Sequence, residues 1–218
     1  IYLYFILGGL ITSFFSVFIL SLDYKKNIHS NLEKSLVRGA IAAQSIIDPL
    51  QHNLLAADPS GRETPFYKET IAKLEQVREI SNFAYIYTLV RCEEGKFFFI
   101  FDTADYKVEE GEKISYHRVY DNMPPEVLRA YKERRVTITE NYYQDEWGIF
   151  KSAFHPVPDK NGGVAFIIGV DYDASYIASL NRKVLWSLLI ALSAALPFII
   201  VLIILLKKDT VAHVDKLT

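Results

Sequence analysis

Two uncharged apolar runs bracket this chain, and they limit what it can become more than any other feature. Residues 1–22 read IYLYFILGGLITSFFSVFILSL, and residues 184–206 read VLWSLLIALSAALPFIIVLIILL. A helix needs about 20 predominantly apolar residues to cross a bilayer. Both runs qualify and no third one does. A soluble core helix of this length carries a polar face, and neither run has one. The first run is too long for the apolar core of a signal peptide and lacks a small-residue cleavage site after it. The expected layout is therefore a transmembrane helix at 1–22, an outer domain at 23–183, a second transmembrane helix at 184–206 and a cytoplasmic linker at 207–218. Lys207 and Lys208 place both termini in the cytoplasm by the positive-inside rule. Lys25 and Lys26 oppose this, but a long translocated segment is largely exempt from that count. Residues 23–183 are thus expected outside a bacterial inner membrane, in the periplasm. A few residues are expected ahead of Ile1, since it is not Met, and an output domain beyond Thr218.

Within the spans, small residues recur at every fourth position. Gly9 and Ser13 do so in the first, and Ser187, Ala191 and Ala195 in the second. That spacing lets helices approach closely, so a homodimer with four membrane helices is expected. Pro197 is expected to kink the second span.

Several functions are disfavoured. Cys92 is the only cysteine, so no intrachain disulfide supports the outer domain. The five histidines, at 29, 52, 117, 155 and 213, have no metal-ligand spacing. The formal net charge is −2 and no basic block is present, which argues against nucleic acid. There is no glycine-rich phosphate loop. Asp145 and Glu146 are adjacent, so on a strand they would point to opposite faces rather than converge on one substrate. No cofactor and no catalytic residue is expected in this chain.

Between the spans the periodicity changes from helical to alternating. Ile28, Leu32, Leu36, Ala43, Ile47, Leu50 and Leu54 keep helical spacing over 23–57, with Pro49 expected to kink or interrupt the helix. Ser30-x-x-Glu33 matches a capping box, but an unbroken helix fits the spacing better. Asp58-Pro59-Ser60-Gly61 is a turn. Thr64-Pro65 starts a second helix, carried by Tyr67, Ile71, Leu74 and Val77 to near Ser81-Asn82. Strands are expected at 85–90 and 97–101, joined by Glu93-Glu94-Gly95. After a polar loop, a helix near 122–131 carries Val127, Leu128 and Tyr131. Three more strands follow at 136–139, 149–157 and 164–172, the last two joined by a hairpin at 159–163. The economical fold is α+β: a five-stranded antiparallel sheet with the long N-terminal helix on one face. The excursion between the second and third strands covers the other face, leaving a cavity where small ligands tend to sit.

An ordered set of short segments supports this layout. Tyr85-Ile86-Tyr87-Thr88, Phe99-Ile100-Phe101-Asp102, Asp145-Glu146-Trp147-Gly148 leading into Ser152 and Pro156, and Ile168-Gly169-Val170-Asp171 follow one another. The set resembles a Cache domain, the PAS-like extracytoplasmic sensor of bacterial membrane receptors, over about residues 25–180. The resemblance implies binding of a small metabolite (a carboxylate, an amino acid or an amine) and signalling through the following helix. Asp215-Lys216-Leu217-Thr218 resembles the opening of a GGDEF diguanylate cyclase domain, where Gly-Leu and an Asn-Arg pair would come next. That resemblance implies control of cyclic-di-GMP synthesis. A histidine kinase or chemoreceptor output, or an outer domain that docks a protein without any ligand, are the alternatives.

The candidate ligand-binding residues are Tyr85, Tyr87, Asp102, Trp147, Lys151, Ser152 and Asp171. Tyr85 and Tyr87 share one strand face and belong either to the pocket or to the core. Asp102 closes the second strand. Asp171 interrupts IIGVDYD, where an acidic side chain needs a partner or a cavity; the resemblance implies that it holds a ligand amine. Trp147 packs at the sheet corner, with Gly148 permitting the bend. Lys151 shares a face with Ala153 and His155, and Ser152 shares the other with Phe150 and Phe154. Lys151 would pair with a ligand carboxylate if its face is the pocket, and is solvated otherwise. The resemblance points Ser152 inward, and the two residues cannot line one cavity without a bulge.

Overall fold

A computed structural model describes residues 2–92, 94–107 and 114–183, with isolated positions between 185 and 207. At 2–14, 17, 21 and 25 only the helical backbone is described. The chain divides into two compact units, Ile1–His29 with Ala178–Thr218, and Ser30–Ile177. The second holds the whole sheet.

Helix α1 (Tyr2–Ile46) buries one stripe, formed by Leu32, Leu36, Ala40 and Ala43. Ser30 and Glu33 lie inside it, so their capping-box spacing caps nothing. The interruption expected at Pro49 is present, and the first helix ends at Ile46. Asp48 ends the first helix and caps α2 (Pro49–Ala57), its Oδ1 accepting from the Leu50 amide at 2.8 Å and the Gln51 amide at 3.3 Å. Pro49 sits at the first helical position, where its missing N–H costs nothing. The break resets the helical phase. Leu50 and Leu54 are therefore exposed, and His52 and Leu55 are buried in their place. Helix α3 (Pro65–Ser81) starts as expected, with the Thr64 hydroxyl accepting from the Tyr67 amide at 3.2 Å, and stops at Asn82 in the left-handed conformation.

The sheet holds six strands: β1 (Tyr85–Arg91), β2 (Phe97–Asp102), β3 (Thr137–Ile138), β4 (Tyr143–Gln144), β5 (Ile149–Pro158) and β6 (Val164–Asp173). Its order is β2-β1-β6-β5-β3, all antiparallel, with β4 also paired to β5. The five expected strands are present. The sixth, β4, is two residues long, too short for alternation to show in the sequence.

Alternation along the strands sorts side chains into two layers. Toward the N-terminal helices, Tyr172 donates to the Ser35 hydroxyl at 3.1 Å and His155 bonds Gln44 at 2.8 Å. On that side His52 stacks on Phe166, ring centroids 3.9 Å apart, and bonds the Thr88 hydroxyl at 2.9 Å. On the other face, Tyr87, Leu89, Phe97, Phe99, Phe154 and Ile167 form one core with Tyr120 and with Val127 and Ala130 of α4 (Pro125–Glu133). The excursion thus covers the face opposite the helices.

Among the described residues no helix is long and apolar enough to cross a membrane. Ser187, Ala191 and Ala195 lie outside the described residues, as do the side chains of Gly9 and Ser13 and the segment 208–218.

Candidate ligand-binding site

The excursion and the sheet enclose a pocket lined by Tyr85, Tyr87, Phe99, Asp102, Tyr120, Asp145, Trp147, Phe150 and Asp171. Strand geometry places most of these groups. Tyr85 and Tyr87 alternate on β1, and both Tyr85 and Ser152 stand opposite Asp171 in the ladder. Asp102 reaches the pocket through an irregularity. Leu89 pairs with Phe99, but Tyr87 pairs with Asp102, so β2 carries one extra residue. The bulge sends Phe101 toward His52 and Tyr67 and turns Asp102 to the pocket side.

Two glycines make this arrangement possible. Tyr87 lies flat over Gly169, its cross-strand partner; a Cβ there would fall 2.2 Å from the ring. Gly148 adopts φ +153°, and its Cβ would meet Phe150 at 2.8 Å. That bend closes the loop carrying Asp145 and Trp147. Asp145 Oδ1 accepts from the Trp147 amide at 2.9 Å and the Gly148 amide at 3.2 Å, while Oδ2 accepts from the Tyr120 hydroxyl at 2.7 Å.

The walls are aromatic and the polar groups are acids. Phe99 meets Trp147 edge to face at 5.5 Å, Trp147 meets Tyr120 at 5.7 Å, and Tyr85 meets Phe150 at 5.5 Å. Asp171 is 3% exposed and Asp102 is 4% exposed. The Tyr87 hydroxyl donates to Asp171 at 3.2 Å, and the Ala104 amide donates to Asp102 at 2.9 Å. These bonds do not offset the loss of water. Burial holds the Asp171 carboxyl well above its ordinary value and pushes Asp102 up to about 7. Among the described residues, no Lys, Arg or His lines the pocket. Arg118 lies over the Trp147 ring at 5.2 Å and pairs with Glu146. In this state the pocket is closed down. The space open to water centres is ≈ 10 Å³, room for about one water.

The structure brings together five of the seven candidate residues, Tyr85, Tyr87, Asp102, Trp147 and Asp171. Ser152 faces the same side without lining the pocket, and donates to the Tyr143 hydroxyl at 3.1 Å. Lys151 does not reach the pocket, and it is not solvated either. Its ammonium, on the helix side, donates to the carbonyls of Thr139 and Glu140 and pairs with Glu33 of α1 at 3.3 Å. Alternation separated Lys151 from Ser152, but only the covering layers decide which face is the pocket. Phe99, Tyr120, Asp145 and Phe150 complete the lining. Phe99 was readable from alternation with Phe97, and Asp145 from its place before Trp147-Gly148, whereas Tyr120 lies in a segment with no periodic signal. Among the described residues no group of three His, Cys, Asp or Glu side chains is arranged to hold a metal ion.

No family model matches the chain, and no curated protein does. Among solved structures, the ligand-binding domain of the Campylobacter jejuni chemoreceptor Tlp3 in complex with 4-methylisoleucine is 14% identical with a TM-score of 0.43, over 76% of this chain and 62% of that one. The sensory domain of the same chemoreceptor with isoleucine bound is 15% identical with a TM-score of 0.37, over 77% and 65%. The chain spans less than two thirds of the length of either. The ligand class therefore has to be read from the pocket itself.

Proposed function

We propose that residues 23–183 are the extracytoplasmic, Cache-type sensor of a bacterial membrane receptor, anchored by spans at 1–22 and 184–206, and that the pocket binds a small metabolite through a protonated nitrogen. One observation carries this reading: three carboxylates, Asp102, Asp145 and Asp171, meet in one aromatic pocket that no cationic side chain lines among the described residues. Buried carboxylates without a cation cost free energy. A ligand ammonium would offset that cost through charge-assisted hydrogen bonds and through the faces of the aromatic rings.

The same strands that carry the pocket also grip α1. Ser152 and Asp171 face the pocket, while their chain neighbours Lys151 and Tyr172 hold Glu33 and Ser35 of α1. A ligand that shifts β5 and β6 therefore shifts their attachment to α1, provided it binds one arrangement better than the other. In sequence, β6 leads through 174–183 into the second apolar run, the route by which the shift reaches the cytoplasm. The output we propose is diguanylate cyclase activity in a homodimer; the resemblance of residues 215–218 to the opening of such a domain supports it. Gly-Leu and an Asn-Arg pair after Thr218 in the source gene are the expected finding, and an unrelated sequence there would remove this output. For the sensor, thermal-shift screening of the full chain in detergent against amines, amino acids and organic acids should give responders that carry a basic nitrogen. Silence across the whole panel would contradict the reading.

A further inference from the structure

Building on that reading of the pocket, we infer that the ligand is a small primary amine without a carboxylate, and not an amino acid. An amino acid brings a carboxylate with its ammonium, and once buried that carboxylate needs a cation or several hydrogen-bond donors. Five donors are already given to the pocket's own acids. The Tyr87 hydroxyl is given to Asp171, the Tyr120 hydroxyl and the Trp147 and Gly148 amides to Asp145, and the Ala104 amide to Asp102. A ligand carboxylate would have to break these bonds and then crowd a fourth acid beside three, opposing the ionisation of all of them. The Arg118 guanidinium, which lies over the Trp147 ring, is paired with Glu146 and is not among the lining residues.

The opposite holds for an ammonium. A primary ammonium has three N–H donors, and Asp102, Asp145 and Asp171 supply three carboxylate acceptors. Each N-methylation removes one donor and a quaternary ammonium has none to give, so the acids favour the primary amine over its methylated forms. The rest of such a ligand meets Tyr85, Phe99, Trp147 and Phe150, which suits an alkyl or aryl group. Amines of this kind are what decarboxylation of an amino acid yields, so the chemistry that supplies the signal belongs to that class of reaction. Since the closed pocket has room for about one water, admitting the amine requires the Trp147 loop to move out. The Tyr120–Asp145 bond and the Arg118–Glu146 pair are the clasps that must yield.

Isothermal titration of the full chain in detergent with matched triplets tests this. One triplet is 2-phenylethylamine, L-phenylalanine and 3-phenylpropionate; a second is isoamylamine, L-leucine and 4-methylpentanoate. The expected result is binding of the amine in at least one triplet, with its amino acid weaker by about tenfold or more and the acid without measurable affinity. An amino acid that binds as tightly as its amine overturns the inference and leaves the sensor reading standing. No binding by any member overturns both. Asp171→Asn keeps the side-chain shape, so it should fold with an unchanged circular dichroism spectrum yet lose amine affinity by about tenfold or more. Unchanged affinity in that variant would place the amine elsewhere and overturn the inference.

Discussion

Replacing Asp102 by Asn should make the protein more stable at neutral pH. Asp102 is 4% exposed, and burial pushes its carboxyl from 3.8 up to about 7. Between those two values the folded chain keeps the proton while the unfolded chain has lost it. The native state then binds more protons, so unfolding free energy falls as pH rises through the window. The penalty is absent below pH 3.8 and complete above about 7. Moving a carboxyl over that range amounts to roughly 4 kcal/mol. Asn keeps the oxygen that accepts from the Ala104 amide at 2.9 Å and never ionises. Asp102→Asn should therefore match the parent near pH 4 and exceed it by up to roughly 4 kcal/mol at pH 7.5. Urea unfolding from pH 4 to 8, followed by Trp147 fluorescence in a Trp186→Phe background, reads this directly. Asp171 is shifted in the same direction, so a reduced slope should remain in the single variant. Parallel curves for parent and variant, or a variant less stable at every pH, would refute the argument.

Three further outcomes follow from other contacts. Gly169→Ala places a Cβ 2.2 Å from the Tyr87 ring; overpacking of this kind costs about 1–3 kcal/mol, and the shifted ring should weaken amine binding in titration. His52 is buried with only Thr88 bonded to its ring, and its pKa is lowered from 6.5 to about 3. Stability from the neutral ring is present above pH 6.5 and lost as pH falls toward 3, so His52→Gln should flatten the acid side of the unfolding profile. Lys151→Met leaves the Thr139 and Glu140 carbonyls and Glu33 without their shared cation; a loss of about 1–3 kcal/mol in urea unfolding is expected, with amine affinity retained because Lys151 is on the far side of the sheet.

Much of the fold was legible because its signals are local. Strands β1, β2 and β6 are rich in aromatic and β-branched residues, and Thr64-Pro65 announces α3. The break before α2 was half legible. Pro49 signalled an interruption, and Asp48-Pro49 is an N-cap followed by proline at the first helical position, yet the helical spacing of apolar residues was carried straight across it. The phase reset that exposes Leu50 and Leu54 followed from that break. The site was harder to read, because it depends on contacts between distant segments. Asp102 reaches it only through a bulge in β2, which no sequence pattern marks. Lys151 and Ser152 could be separated by alternation, but their assignment waits on knowing that α1 covers one face and the excursion the other. Asp171 was the exception, since an acid within an apolar strand is visible as an anomaly in one dimension.

The most direct test of the central claim is a fluorescence titration of Trp147, in the Trp186→Phe background, with 2-phenylethylamine and isoamylamine. Trp147 lines the pocket and stacks under Arg118, so a ligand held by the three acids must change its surroundings. A saturable change is expected in the parent chain, and its loss in Asp171→Asn. A saturable change of equal midpoint in both proteins, or none in either, would contradict that claim.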